Sequence, residues 1–150
     1  MNVEHVMTHE VIAIKADTTV DEIARLLREH RIGGLPVVDD ESRVIGIVSE
    51  TDLFLKEKGM PFSAVKVPTL FQRWVDPDRL AEIYEEAHRH TAADVMTTEV
   101  VCVKVGDPVG HAARIMMQNN IKRIPVLQEG RLAGIVTRSD ILRLMAKDER

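Results

Sequence analysis

Within the 150-residue chain, Gly46-Ile47-Val48-Ser49-Glu50-Thr51-Asp52 returns as Gly134-Ile135-Val136-Thr137-Arg138-Ser139-Asp140. Upstream, residues 32–37 (IGGLPV) match residues 121–126 (IKRIPV), and residues 7–15 (MTHEVIAIK) match residues 96–104 (MTTEVVCVK). The offset is 89 residues in the two upstream blocks and 88 in the last, because the second copy drops one residue. About 16 of 46 aligned positions are identical. Self-similarity at a fixed offset outweighs local propensity as a guide to architecture. Two halves this alike are expected to pack as a pseudo-symmetric pair, with function in a cleft lined by equivalent loops.

Each copy reads as strand, helix, strand, strand, helix. In the first, the apolar run 11–14 suits a buried strand. Thr19 followed by Glu22 is a capping-box pattern that opens a helix. Val20, Ile23, Ala24 and Leu27 recur at helical spacing, while Asp21, Glu22, Arg25 and Arg28 are expected to face water. Gly33-Gly34 closes the helical region, and 35–38 and 44–48 are β-rich runs about the turn 39–43. The second copy predicts a strand over 100–103, a helix over 109–119, strands over 124–127 and 132–136, and a helix over 140–146. Asp107-Pro108 stands where the first copy has Thr18-Thr19, with proline at a first helical turn that needs no N–H donor. The alternation predicts an α/β fold built from two pseudo-symmetric β-α-β-β-α motifs.

Composition bounds the class. Hydrophobic residues make up 45% and charged residues 29%, ordinary for a globular chain. A net charge of −4 and a pI near 5.9 argue against a nucleic-acid binder held by a broad basic surface. No apolar run approaches the length of a membrane span, and MNVEHVMTHE lacks the apolar stretch of a signal peptide. The single cysteine, Cys102, cannot form an internal disulfide. It fits a reducing, cytoplasmic setting and reads as a small buried residue in VVCVKV.

The GIVSETD and GIVTRSD segments, the upstream I-x-x-L/I-P-V and the opening V-M-T, in fixed order and twice over, resemble the CBS domain, named for cystathionine β-synthase. Two in tandem look like a Bateman module. The resemblance covers 3–57 and 91–147, with 58–90 as an aromatic-containing helical insert between them. It implies a regulatory module that binds an adenosyl ligand (AMP, ADP, ATP, NAD or S-adenosylmethionine) in clefts between the two motifs. It also implies signalling to a separate, unidentified regulated protein, and pairing into a homodimer through helices 21–30, 52–58, 109–119 and 140–147. Catalysis is not expected, because no nucleophile is paired with a base and no metal constellation is present. A structural or protein-interaction module without ligand is the alternative.

By the same resemblance, one site combines Ser49, Thr51 and Asp52 with Thr97, Val101, Ile121, Lys122 and Arg123. The other combines Thr137, Arg138, Ser139 and Asp140 with Thr8, Ile12, Ile32 and Gly33. Each aspartate would hold ribose, apolar groups would hold adenine, and hydroxyls and cations would meet phosphate. The residues support both uses of this segment unaided. Ser49 and Thr137 stand where strand gives way to helix, so they are N-cap candidates, with Asp52 and Asp140 favouring the helix dipole. Helix N-termini also offer N–H groups to phosphate, and a carboxylate beside them can accept ribose hydroxyls.

The halves differ in charge. Lys122-Arg123 stands opposite Gly33-Gly34, so a two-cation loop suits a phosphorylated ligand at one site. Glu50 opposes phosphate unless it points outward. All five aromatics (Phe54, Phe62, Phe71, Trp74 and Tyr84) fall within 54–84, which reads as a packed linker or an interface. A helix is expected over 78–88, with Leu80, Ile83, Tyr84 and Ala87 on one face. His5 with His9, and Glu85 with His88 and His90, have helical spacings but lack a metal-binding motif and read as solvated faces.

Overall fold

A computed structural model describes residues 1–55, 82 and 85–148 of the chain. Helix α1 (Val20–His30), strands β1 (Gly34–Val38) and β2 (Val44–Ser49) and helix α2 (Glu50–Leu55) build the first repeat. Residues 85–89 are helical, and the short helix α3 (Ala92–Val95) opens the second repeat. There follow β3 (Val103–Lys104), α4 (Val109–Asn119), β4 (Arg123–Gln128), β5 (Arg131–Thr137) and α5 (Arg138–Asp148). Strand β3 runs parallel to β4, and β4 antiparallel to β5. The mixed α/β order expected from the repeat is present. Of the expected aromatic insert, Phe62, Phe71, Trp74 and Tyr84 lie outside the described residues, as do Leu80 and Ile83.

The helices follow their apolar spacing. In α1 Val20, Ile23 and Leu27 are buried, and in α4 Val109, Ala112 and Met116. Ala24 departs from the expected face and is exposed, since three anchors already fill the buried stripe. The expected capping box does not form at α1: Thr19 makes no side-chain cap bond, and Glu22 pairs with Arg25 instead. Nor do the glycines close the helix. Arg31 does so with a left-handed φ of 52°, as Asn120 does at 51° after α4, and Gly34 enters β1. Ile32 and Ile121 then each donate an N–H back to the helix, to Leu27 and Met116, both at 3.1 Å.

The opening strand of each motif is shorter than its β-rich composition predicts. In the first repeat only Ile14 finds a strand partner, bridging Val37 in parallel with its N–H on the Pro36 carbonyl at 3.0 Å. Its counterpart Val103 begins β3, opposite Val126. Residues 11–13 and 100–102 have the composition of a strand but no ladder.

The chain divides into two compact units that do not follow the repeats. One holds Met1–Ile12, Val38–Val44 and Glu99–Arg150; the other holds Ala13–Val37 and Ile45–Thr98. In the first unit the opening segment of repeat one lies on the body of repeat two. Thr8 and Ile135 exchange N–H···O bonds of 2.9 and 3.1 Å, and Val3 donates to the Asp107 carbonyl at 2.8 Å. Val3 and Met7 share its core with Val103, Ala112, Met116, Ile124, Val126 and Val136. In the second unit the relation is repeated. Thr97 and Ile47 exchange bonds of 2.9 and 3.0 Å, and Ala92 donates to the Thr18 carbonyl at 2.8 Å. Each unit therefore joins the V-M-T of one repeat to the G-I-V strand of the other.

Candidate functional site

Strand β2 ends at Ser49 and strand β5 at Thr137, and in each case a helix starts at the next residue. The first N–H groups of a helix lack intrahelical acceptors, so a polar residue at this junction is selected for capping. At the first junction the Asp52 carboxylate turns back. Its Oδ2 accepts the Ser49 N–H at 2.9 Å and the Ser49 hydroxyl at 3.2 Å. Ser49 Oγ also lies 2.8 Å from Thr51 Oγ1. At the second junction Asp140 Oδ2 accepts the Thr137 N–H at 2.8 Å and its hydroxyl at 3.0 Å. Thr137 Oγ1 in turn accepts the Asp140 N–H at 3.2 Å, completing a reciprocal box.

The two carboxylates differ in burial and in company. Asp52 is half-buried, whereas Asp140 is 6% exposed. Arg143, one turn further along α5, donates Nη1–H to Asp140 Oδ1 at 3.3 Å. The position three residues after Asp52 holds Leu55.

Within the unit of Asp52, the Gly33 carbonyl accepts the Glu50 N–H at 3.0 Å, which fixes the loop after Ile32 beside the start of α2. Thr97 pairs with Ile47, two residues before the Ser49 cap, and its side chain is exposed. Glu50 and Thr51 are also exposed. Within the unit of Asp140, the Lys122 carbonyl accepts the Arg138 N–H at 2.9 Å, the counterpart of the Gly33–Glu50 bond. Arg123 faces Thr137 across β4 and β5, and Thr8 pairs with Ile135. Lys122, Arg138, Ser139 and Val101 are exposed, while Ile12 and Ile121 are half-buried. The Arg138 guanidinium folds over the preceding turn, donating to the Ile121 carbonyl at 3.2 Å and to Asn120 Oδ1 at 3.3 Å. Of the predicted sets, Ser49, Thr51, Asp52 and Thr97 thus belong to one unit with Ile32 and Gly33. Thr137, Arg138, Ser139, Asp140, Thr8 and Ile12 belong to the other with Val101, Ile121, Lys122 and Arg123.

A third carboxylate uses the same geometry. Asp94 Oδ2 accepts the Thr91 N–H at 2.9 Å and its hydroxyl at 3.3 Å, capping α3. The Thr91 backbone bond, more than any other contact, holds the Asp94 carboxyl below its usual range. His90 lies 3.5 Å from Asp94 and 3.4 Å from Glu86, and His88 lies 3.1 Å from Asp21. Both histidines are thus occupied by carboxylates of their own unit. Burial pushes the Cys102 thiol up, consistent with a packed residue rather than a reactive one.

Two features lay outside the sequence motifs. Arg143 was signalled only by its three-residue spacing from Asp140. The glycines of G-I-V prove to be sockets: a Cβ on Gly134 would stand 2.5 Å from Met7 Sδ and 2.8 Å from the Thr8 carbonyl oxygen. The methionine of V-M-T and the glycine of G-I-V are two halves of one contact.

The model of the CBS domain family matches residues 3–58 and 92–147. A CBS domain-containing protein of Dictyostelium discoideum is 33% identical over 146 residues, covering 97% of this chain and 91% of that one. Longer relatives from Methanocaldococcus jannaschii, proteins MJ1225 and MJ1404, are matched over 43% and 32% of their length. Among solved structures, CBSX2 of Arabidopsis thaliana in complex with AMP superposes with a TM-score of 0.77 at 28% identity, covering 99% of both chains. The CBS domain pair of protein MJ0100, in complex with 5′-methylthioadenosine and S-adenosyl-L-methionine, superposes with a TM-score of 0.72 at 26% identity. It covers 99% of this chain and 98% of that one.

Proposed function

This chain belongs to the CBS domain family, whose domain it carries twice, and on that premise we propose that it is a non-catalytic regulatory module that binds an adenosyl ligand and passes its occupancy to a partner protein. The observation that carries the proposal is the duplicated carboxylate. Asp52 and Asp140 are each drawn against a helix N-terminus by an N-cap N–H and hydroxyl. A carboxylate held in this way is oriented and close to N–H donors, as a ligand with a ribose diol and a phosphate requires. AMP, 5′-methylthioadenosine and S-adenosylmethionine in the related pairs favour that class of ligand.

The same bonds favour a second reading, in which each aspartate serves only the cap and the module is purely structural. Ligand-dependent stability separates the two, because a ligand specific to the native state stabilises it by mass action. Thermal unfolding with AMP, ADP, ATP, NAD and S-adenosylmethionine is expected to show a concentration-dependent rise in Tm for at least one of them. No rise with any would support the structural module.

For assembly we propose a homodimer. Helices α4 and α5 pack on one another, yet Met117, Leu142 and Met145 on them remain 61–81% exposed. Side chains of this kind on two neighbouring helices suit a second copy of the chain. No described helix is long and apolar enough to cross a membrane.

A further inference from the structure

Asp140 is the buried charged side chain among the described residues. Its Oδ2 already accepts two bonds from Thr137, so Oδ1 is the oxygen left to meet a ligand. That oxygen faces Arg143 across 3.3 Å. Arg143 is itself 66% exposed, and a long contact to a rim guanidinium is weak and readily given up. Arg138, the other nearby cation of this loop, is turned toward Asn120 and Ile121 and does not compete for Oδ1. The first repeat has leucine, Leu55, at the position of Arg143 and can offer Asp52 no such pairing from that place.

We propose that Arg143 is a specificity-determining residue that stands in for the ribose hydroxyls at Asp140, holding Oδ1 until an adenosyl ligand displaces it. The proposal rests on the reading of Asp140 as the ribose acceptor. A diol donates two O–H groups, and with Oδ2 taken it reaches its full complement of bonds only when the guanidinium withdraws. The displaced guanidinium remains beside the site. It compensates an anionic ligand by attraction and a neutral one not at all. Arg143 therefore biases the Asp140 site against uncharged adenosyl compounds, a bias that leucine does not supply in the first repeat.

The test is calorimetric titration of Asp52→Asn protein, which leaves the Asp140 site intact, with and without Arg143→Leu. The probes are 5′-methylthioadenosine, which is uncharged, and AMP. Loss of Arg143 is expected to tighten binding of the neutral probe by about two- to five-fold, the range of an exposed ion pair. Added salt is expected to tighten neutral-probe binding when Arg143 is present and to leave it unchanged after Arg143→Leu, since salt weakens the competing pair. AMP is expected to gain less or to weaken. Arg143→Gln, which keeps a polar side chain, serves as the second variant if the leucine protein does not fold. Unchanged or weaker binding of the neutral probe without Arg143 overturns the proposal while leaving the ribose assignment standing. If the parent binds neither probe, or if Asp52→Asn with Asp140→Asn binds as tightly as the parent, the ribose assignment itself falls, and the role of Arg143 with it.

Discussion

The sulfur of Met96 lies where a side chain on Gly46 would have to stand. Met7 holds the same relation to Gly134, so each repeat's opening methionine seats on the other repeat's glycine. Gly46→Ala and Gly134→Ala are each expected to cost about 1–3 kcal/mol, the usual range for overpacking. Denaturant unfolding checks this. Met96→Ala should relieve part of the Gly46→Ala penalty, so the two changes should not add. Additive losses would mean that the clash is absorbed elsewhere.

Stability should fall in acid through carboxylates that accept hydrogen bonds in the folded state. The Thr91 backbone bond lowers Asp94, the Arg43 backbone bond lowers Asp39, and the Thr19 hydroxyl followed by His88 lowers Asp21, each from an ordinary value of 3.8. A carboxyl depressed in the folded state contributes stability that is complete above its unfolded pKa and is lost as pH falls through its folded value. Urea midpoints should therefore be flat between about pH 5 and 7 with respect to these groups and decline below about pH 4. Asp94→Asn should make that decline shallower. An unchanged acid slope would remove the Thr91 cap from the account.

Much of the fold is legible because the chain states it twice. Strand-helix order, the Thr137 cap and the carboxylates behind Ser49 and Thr137 follow from residue type and spacing. Which opening segment pairs with which strand does not follow from the residues alone. Met7 and Met96 are the same residue, as are Gly46 and Gly134, so either match satisfies local chemistry; the long-range topology selects the crossed one. Residues 11–13 have β composition, but composition carries no information about whether a hydrogen-bond partner is near. Arg31 closes α1 in a left-handed conformation that the following glycines would adopt more easily, with its N–H turned back to the carbonyls of Arg28 and Leu27. At the site, Arg143 carries no signal of its own in the sequence, because an arginine three residues from a helical aspartate is commonplace on surfaces.

The cations of the second repeat should tune the ligand. Lys122 is exposed and Arg123 half-buried, and the Lys122 carbonyl ties their loop to the start of α5. Lys122→Ala with Arg123→Ala should weaken ATP more than AMP and flatten the salt dependence of ATP binding. Titrations at two ionic strengths give both numbers. Equal effects on both nucleotides would remove phosphate from the role of this loop.

The exposed apolar side chains of α4 and α5 should be covered in solution. Light scattering at micromolar concentration should report a dimer, and Leu142→Glu with Met145→Glu should shift it toward monomer without unfolding the chain. A parent protein that is monomeric with and without nucleotide would leave that surface to some other occupant.

If Asp52 and Asp140 hold the ribose of an adenosyl ligand, removing both carboxylate charges must weaken its binding. Asparagine can still accept the N-cap N–H at both positions, so Asp52→Asn with Asp140→Asn keeps an acceptor for the caps while removing the charge. Calorimetry with AMP should show saturable binding to the parent. Binding to the double variant should be weaker by about 10- to 100-fold, as expected for losing a charge-assisted hydrogen bond at each site. AMP binding of undiminished affinity by a folded double variant would contradict the assignment of both carboxylates.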